Sequence, residues 1–455
     1  MQASNAKKTP RLLKPHIVMK ERVAMPVPPG SLSWPVIGDT VSLYRDPYGY
    51  GLKRFTRYGP ISKARLLGKP AVMLLSAEGQ RFVLVTAQRS FDTGAGYAIV
   101  KPLLGNALTL TDGDIHDQLK RWMLPAFASA NMQTYLATIN RVISSRLATW
   151  SEDRPVCLTQ EFATITFTIG AALLLGLDFG PETDELLRHW KTLAHGVTTL
   201  LHVRGPVTPF GRALIAREWL ERRIRSIIAR QRHSDQINIV RLLADAGMPD
   251  EEIVTQIIFL IHASFDTTTD TVSWAFVDLL RHPDLLERVR AEVQATLHEA
   301  PISLADLQQN RLLDAVIKEA LRLYPQVHIF FRGAKEDVEF DGFTIPKGWL
   351  VNLNPAFVHR RPDYFADPLT FNPDRFLVDK EDERTPYAWI GFGGGMHGCL
   401  GEMIARLEIK ALATAILRRF DLTLLPSQDL HQIYASLSRP KSGVLVISAR
   451  RGSAS

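Results

Sequence analysis

The segment Phe392-Gly-Gly-Gly-Met-His-Gly-Cys-Leu-Gly401 gathers the most reactive chemistry in the chain. Its cysteine, Cys399, sits in a glycine-dense loop that leads directly into a helix starting around Glu402. Exposed amides and the positive end of a helix dipole favour thiolate over thiol at such a place, and a thiolate is a metal ligand. Glycines also let backbone pass flat against a large planar cofactor where a side chain would clash. Two blander readings compete, a Gly-rich turn around a buried cysteine and a phosphate loop. The second lacks a closing Lys-Ser/Thr and a preceding strand within a βαβ unit.

Polar residues also interrupt the most apolar stretch, at His262-Ala263-Ser264-Phe265-Asp266-Thr267-Thr268-Thr269. Helical Ser and Thr often bond back to the preceding turn. An acid beside a hydroxyl in an apolar helix can in addition organise water and pass protons. Glu319-Ala-Leu-Arg322 sets acid and base one turn apart, which by itself is the spacing of an ordinary surface ion pair.

The elements that must position these groups are mostly helical. Helix begins near Pro47, and Ile61 to Leu67 and Ala71 to Leu75 flank Gly68-Lys69-Pro70 as a strand hairpin. Apolar spacing is helical from about 115 to 300, with breaks at Arg154-Pro155, Gly180-Pro181 and Gly205-Pro206. Asp250 to about Leu280 is apolar on most sides, as a helix buried through a large domain would be. Further helices are expected over Leu312 to Leu323 and Leu407 to Phe420. Strands are expected over Val338 to Val351, turning at Lys347-Gly348, and over Leu422 to Ile447.

Size and composition bound the reading loosely. With 455 residues, 46% of them hydrophobic, the chain can bury a large core. Two cysteines are too few for a disulfide framework and fit a reducing cytoplasm. Residues 1–25 read as a flexible, charged segment with neither a signal peptide nor a transmembrane anchor, followed by one domain over 26–455. The net charge of +7 is spread among acids, which speaks for a solvated surface and against nucleic acid, with an acidic electron donor as the sharper alternative.

Phe392, Gly395, His397, Cys399 and Gly401 fall on the pattern F-x-x-G-x-[RH]-x-C-x-G, and the chain thereby resembles the cytochromes P-450. Other elements of that family occur in order: Glu319 and Arg322 as E-x-x-R, Phe371-Asn-Pro-Asp-Arg375-Phe376 after it, and Ala263 to Thr268 as A-G-x-[DE]-T-T. The resemblance implies a mainly α fold with a small β region, a single large domain whose haem b is buried between the long central helix and the cysteine loop. Cys399 would be the axial thiolate, which favours O–O cleavage, with Phe392 packed near the sulfur. His397, where Arg is commoner, would bond a haem propionate in a pH-sensitive way. His116 and Lys120, i,i+4 on an early helix, and Arg332 would hold propionates too. Glu319, Arg322 and Arg375 would form a structural triad, with Asp266 the acid and Thr267 the hydroxyl of a proton relay. Ser264 stands where Gly is usual and is expected to narrow the oxygen groove or add a donor.

The implied activity is a monooxygenase that inserts one atom of O2 into a C–H bond of a hydrophobic molecule such as a terpenoid, retinoid or fatty acid. Electrons from NAD(P)H would arrive through a separate ferredoxin or flavodoxin and its reductase, with Arg121, Arg406 and Lys410 as docking contacts. Substrate would meet Ala263, Val327, His328, Ile329, Phe330 and Tyr434, the loop Tyr97 to Leu104 and the segment Leu200 to Phe210. Phe420 to Pro426, Ser438 to Lys441 and Pro346 to Trp349 are similar to the retinoic-acid-hydroxylating branch and its soluble bacterial relatives. A haem-thiolate peroxygenase or isomerase and a non-catalytic haem sensor remain as alternatives; the first would replace the acid-Thr pair with an Arg.

Overall fold

A computed structural model describes residues 25–33, 38–98, 100–151, 154–199, 202–232, 234–296, 301–377, 385–434 and 437–451. The expected flexible segment therefore lies outside the described residues apart from Met25, as do Leu200 and Leu201 of the expected substrate segment.

Helix α1 (Pro47–Tyr58) starts where Asp46 accepts the Gly49 amide at 2.8 Å and Pro47 presets the first turn. Strands β1 (Ile61–Leu66) and β2 (Lys69–Leu74) pair antiparallel around Leu67-Gly68, both left-handed. Lys69 and Pro70, expected in the turn, instead open β2. Short strand β3 (Phe91–Asp92) and helices α2 (Gly113–Met123) and α3 (Met132–Leu147) follow. Strand β4 (Pro155–Cys157) then leads into α4 (Leu158–Leu175), which stops at left-handed Gly176. By length and composition α4 is apolar enough to span a membrane, yet 67% of it is buried inside the protein.

Helix α5 (Pro181–Val197) begins at the Gly180-Pro181 break, and α6 (Pro209–Gln231) begins three residues after Pro206, capped by Thr208. Helix α7 (Asp250–Arg281) runs 32 residues through the core. It packs against α4, α6 and α8 (Arg311–Leu323). Phe265 and Phe276 meet Phe167 and Phe162 of α4 at ring separations of 5.3 Å. Each such buried ring stabilises by about 1.5–3 kcal/mol.

Strands β5 (Phe330–Ala334), β6 (Val338–Phe340), β7 (Phe343–Ile345) and β8 (Leu350–Leu353) come next. They complete a sheet in the order β1-β2-β8-β5-β3 and a separate β6-β7 hairpin. Helix α9 (Glu402–Arg419) precedes β9 (Phe420–Leu424), β10 (Gln432–Tyr434), β11 (Ser438–Pro440) and β12 (Leu445–Arg450). The β10-β11 hairpin lies on α7, while β12 joins β4 and β9. The architecture is mainly helical with small sheets, as expected.

Candidate active site

The cysteine loop is fixed by backbone geometry that only glycine allows. Gly393 and Gly395 are left-handed, and a Cβ on Gly395 would sit 1.7 Å from the Leu84 carbonyl oxygen. The Cys399 amide donates to Phe392 O at 2.9 Å, closing the turn beneath the sulfur. Cys399 is exposed as a residue although neighbouring atoms crowd its thiol. Its chemistry differs from the sequence expectation: burial pushes the thiol up to about 11, against the amides of Gly401 and Glu402 and reinforced by the Glu402 charge. A cation bound at the sulfur would favour the thiolate over the thiol.

Polar side chains from three elements converge beside this loop. His397 Nε2 lies 3.0 Å from Asp112 Oδ1 and 3.3 Å from Thr93 Oγ1. The rings of His397 and His116, from α2, stand 4.3 Å apart. Lys120 Nζ, expected on a propionate, donates to Met396 O at 2.8 Å and so fastens the loop. Arg332, on β5, is nearly buried and donates to the neighbouring Phe331 O at 2.8 Å.

Charges in this cluster are interdependent. Burial would raise the Asp112 carboxyl, but the His397 hydrogen bond and the Thr93 amide overcome it and hold it well below the usual range. Burial lowers His116, helped by His397 and Lys120 and opposed by Asp117. Asp112 was missed in the sequence, where an Asp before Gly113 reads only as a helix start; its side chain makes no cap bond.

These residues fit a planar, doubly anionic macrocycle with an axial thiolate. His397 Nδ1 is buried without a partner, and the Arg332 guanidinium has a backbone carbonyl in place of a carboxylate in hydrogen-bond contact. Among the described residues no group of three or more His, Cys, Asp or Glu gathers as a metal cage, so an iron at Cys399 needs its other ligands from a cofactor.

On the central helix, Thr267 Oγ1 donates to Ala263 O at 2.6 Å, the back-bond that helical threonines favour. Burial pushes the Asp266 carboxyl up, opposed by Arg439 and Lys191. Ser264 is exposed, and its Oγ lies 3.7 Å from where a Cβ on Gly170 of α4 would be. Together with Thr166, Phe167 and Phe265 it lines a small apolar cavity between α4 and α7.

Glu319 and Arg322 are fully buried and bidentate at 2.6 and 2.7 Å, far from the surface pair that the spacing alone suggests. Arg375 Nε reaches Glu319 Oε1 at 3.2 Å, and the Asn372 amide adds 2.8 Å. Arg322 also donates to the carbonyls of His359, Pro368 and Thr370. His359 is buried and neutral, lowered to about 3 first by burial and then by Arg322. Its Nε2 accepts the Ile390 amide at 3.0 Å, linking the triad to the cysteine loop.

The expected pocket residues do not share one face: Ala263 is on α7, and Val327, His328 and Ile329 lie in the irregular segment that leads into β5. Val327 is 52% exposed and Ala263 partly so. His328, by contrast, is 3% exposed and faces Tyr434 at 5.0 Å. Ile329 and Phe330 pack into two separate cores. The Tyr434 hydroxyl accepts from Arg360 at 3.2 Å and donates to Gln432 at 3.1 Å. Residues 435 and 436, in the terminal turn near Tyr434 to Leu437 that was also expected to wall the pocket, lie outside the described residues. Of the docking contacts, Arg121 is exposed, Arg406 is clamped by Asp314 at 2.7 Å, and Lys410 is buried.

The chain belongs to the cytochrome P450 family, whose model matches residues 28–447. It is accordingly a P450 monooxygenase that uses haem b, O2 and NAD(P)H-derived electrons delivered through partners. It is 33% identical to putative cytochrome P450 120 of Synechocystis sp., over 93% of this chain and 97% of that protein. It is 30% identical to abscisic acid 8'-hydroxylase 1 of Arabidopsis thaliana, covering 94% and 92%. The solved structure of retinoic acid bound cyanobacterial CYP120A1 superposes with a TM-score of 0.85 at 31% identity, covering 94% of this chain and all of that one.

Proposed function

We propose that this protein hydroxylates an apolar isoprenoid carboxylic acid. The observation that carries this is the near full-length likeness to two kinds of relative, one with retinoic acid bound and one named for abscisic acid hydroxylation. Both compounds are apolar skeletons ending in a carboxylate. Apolar surface at Val327 and Ala263 suits such a skeleton.

Haem, when bound, supplies the iron at which dioxygen is reduced by two electrons from a donor protein. Cys399 would hold the iron, with Phe392 beside it. His397, His116 and Arg332 would hold the propionates, with Lys120 stiffening the cysteine loop through Met396. Asp266 takes protons from the solvent side and Thr267 passes them on, its hydroxyl exchanging the Ala263 carbonyl for water. Glu319, Arg322 and Arg375 keep the segment behind Cys399 rigid. The donor is a separate ferredoxin or flavodoxin meeting a face that includes Arg121, and the setting is cytoplasmic.

The test is a spectral titration of haem-loaded protein with retinoic acid, abscisic acid and their methyl esters. The free acids should shift the spin state and yield products one oxygen heavier when a ferredoxin system supplies electrons. Shifts with esters but none with either acid would overturn the carboxylate reading.

A further inference from the structure

We propose that Asp270, one turn beyond Asp266 on α7, is a second acid of the proton path, supplied from solvent at Arg439 of the β10-β11 hairpin. This rests on the assignment of Asp266 and Thr267 to proton delivery.

The geometry is a stripe. His262, Asp266, Asp270 and Trp274 recur every four residues and share one face of α7. At the far end, Trp274 Nε1 donates to Ser438 O at 3.0 Å, pinning the hairpin to the helix one turn past Asp270. The next residue, Arg439, is exposed, and its charge acts on both Asp266 and Asp270. Asp270 is only 6% exposed and has no hydrogen bond or ion pair among the described residues. Such a carboxyl, if it served packing alone, would be an expensive choice inside an apolar helix.

The neighbouring groups define its titration. Burial pushes Asp270 up to about 7, opposed by Arg439 and reinforced by Asp266. Lys191, on α5, acts on Asp266, and His262 stays neutral against Trp190, lowered by burial to about 4. Thr269 turns away, toward Thr166 of α4 at 2.7 Å. Asp270 is thus poised to take up and release a proton around neutral pH.

The transfer involves no redox change. The O–H bond of the Asp270 acid breaks as a water between the two carboxyls takes that proton and gives one of its own to the Asp266 carboxylate, and hydronium from bulk solvent near Arg439 returns a proton to Asp270. Acting through Asp266, Asp270 is a positioning residue of the path and never touches substrate.

The experiment uses haem-loaded, substrate-free protein reducing dioxygen with a ferredoxin donor, with peroxide released per electron measured from pH 5 to 9, alongside an infrared titration of protonated carboxyl groups. Peroxide should rise with pH through an inflection near neutrality, matched by loss of one carboxyl band. Asp270→Asn should remove inflection and band, and Asp270→Glu should restore them. Arg439→Gln, at an exposed site that folding tolerates, should move both to higher pH because a cation that lowers Asp270 is gone. An inflection that survives in Asp270→Asn, or stays fixed in Arg439→Gln, overturns the proposal. If Asp266→Asn and Thr267→Ala also leave peroxide unchanged, the underlying relay is wrong; if they raise it while Asp270→Asn does not, only this extension falls.

Discussion

Asp112 Oδ1 lies 3.0 Å from Nε2 of His397, joining the turn before α2 to the cysteine loop. The pairing holds the Asp112 carboxyl below its ordinary range, so it contributes stability above about pH 3.9 that is lost as pH falls through the lowered value. Asp112→Asn should release haem faster to a scavenging apoglobin at pH 7. It should also flatten the acid limb of the unfolding curve, and an unchanged limb would mean the pair does not couple to folding.

Three buried histidines set a second pH dependence. Burial lowers His262 and His328 to about 4 and His359 to about 3. The unfolded chain gains protons below about pH 6.5 while these folded histidines do not. The contribution of these histidines should fall as pH drops from 6.5 and level off only below about 3, where His359 also takes up its proton. Denaturant midpoints followed by circular dichroism check this, and His328→Phe should reduce the slope.

The triad should show the asymmetry of buried ion pairs. Arg322→Met leaves Glu319 charged and buried, an expected loss of about 3–5 kcal/mol, and little haem should be retained. Arg375→Met, at the partly exposed end, should cost less. Thermal melts and the haem-to-protein absorbance ratio separate the two.

Replacing Cys399 by Ser should abolish the strongly red-shifted band of the ferrous carbon monoxide adduct while leaving haem in place. Thr267→Ala should divert electrons to peroxide, and Thr267→Ser should restore coupling through its hydroxyl. Equal peroxide yields in all three forms would remove Thr267 from the relay.

Ser264 offers a contrast. Its hydroxyl is directed at Gly170, so Ser264→Gly should leave peroxide yield close to that of the parent and cost roughly 0.5 kcal/mol in helix propensity. A marked rise in coupling would mean the side chain does obstruct dioxygen.

The sequence determined what depends on neighbours along the chain. The cysteine loop, the acid-hydroxyl pair and the E-x-x-R helix were legible because each is a short pattern with its own chemistry. The helix breaks at Pro181 and Pro206 were legible because proline and glycine act locally. Tertiary structure decided the rest. Asp112 and His397 meet across 285 residues, Lys120 spends its charge on a carbonyl, and Lys410 is buried where docking was expected. His328 points inward although Val327 points out, because both lie in the irregular segment ahead of β5, where packing against Tyr434 and not a local period sets the face. The thiol is raised where the helix end suggested lowering, because desolvation depends on all the atoms gathered around a group.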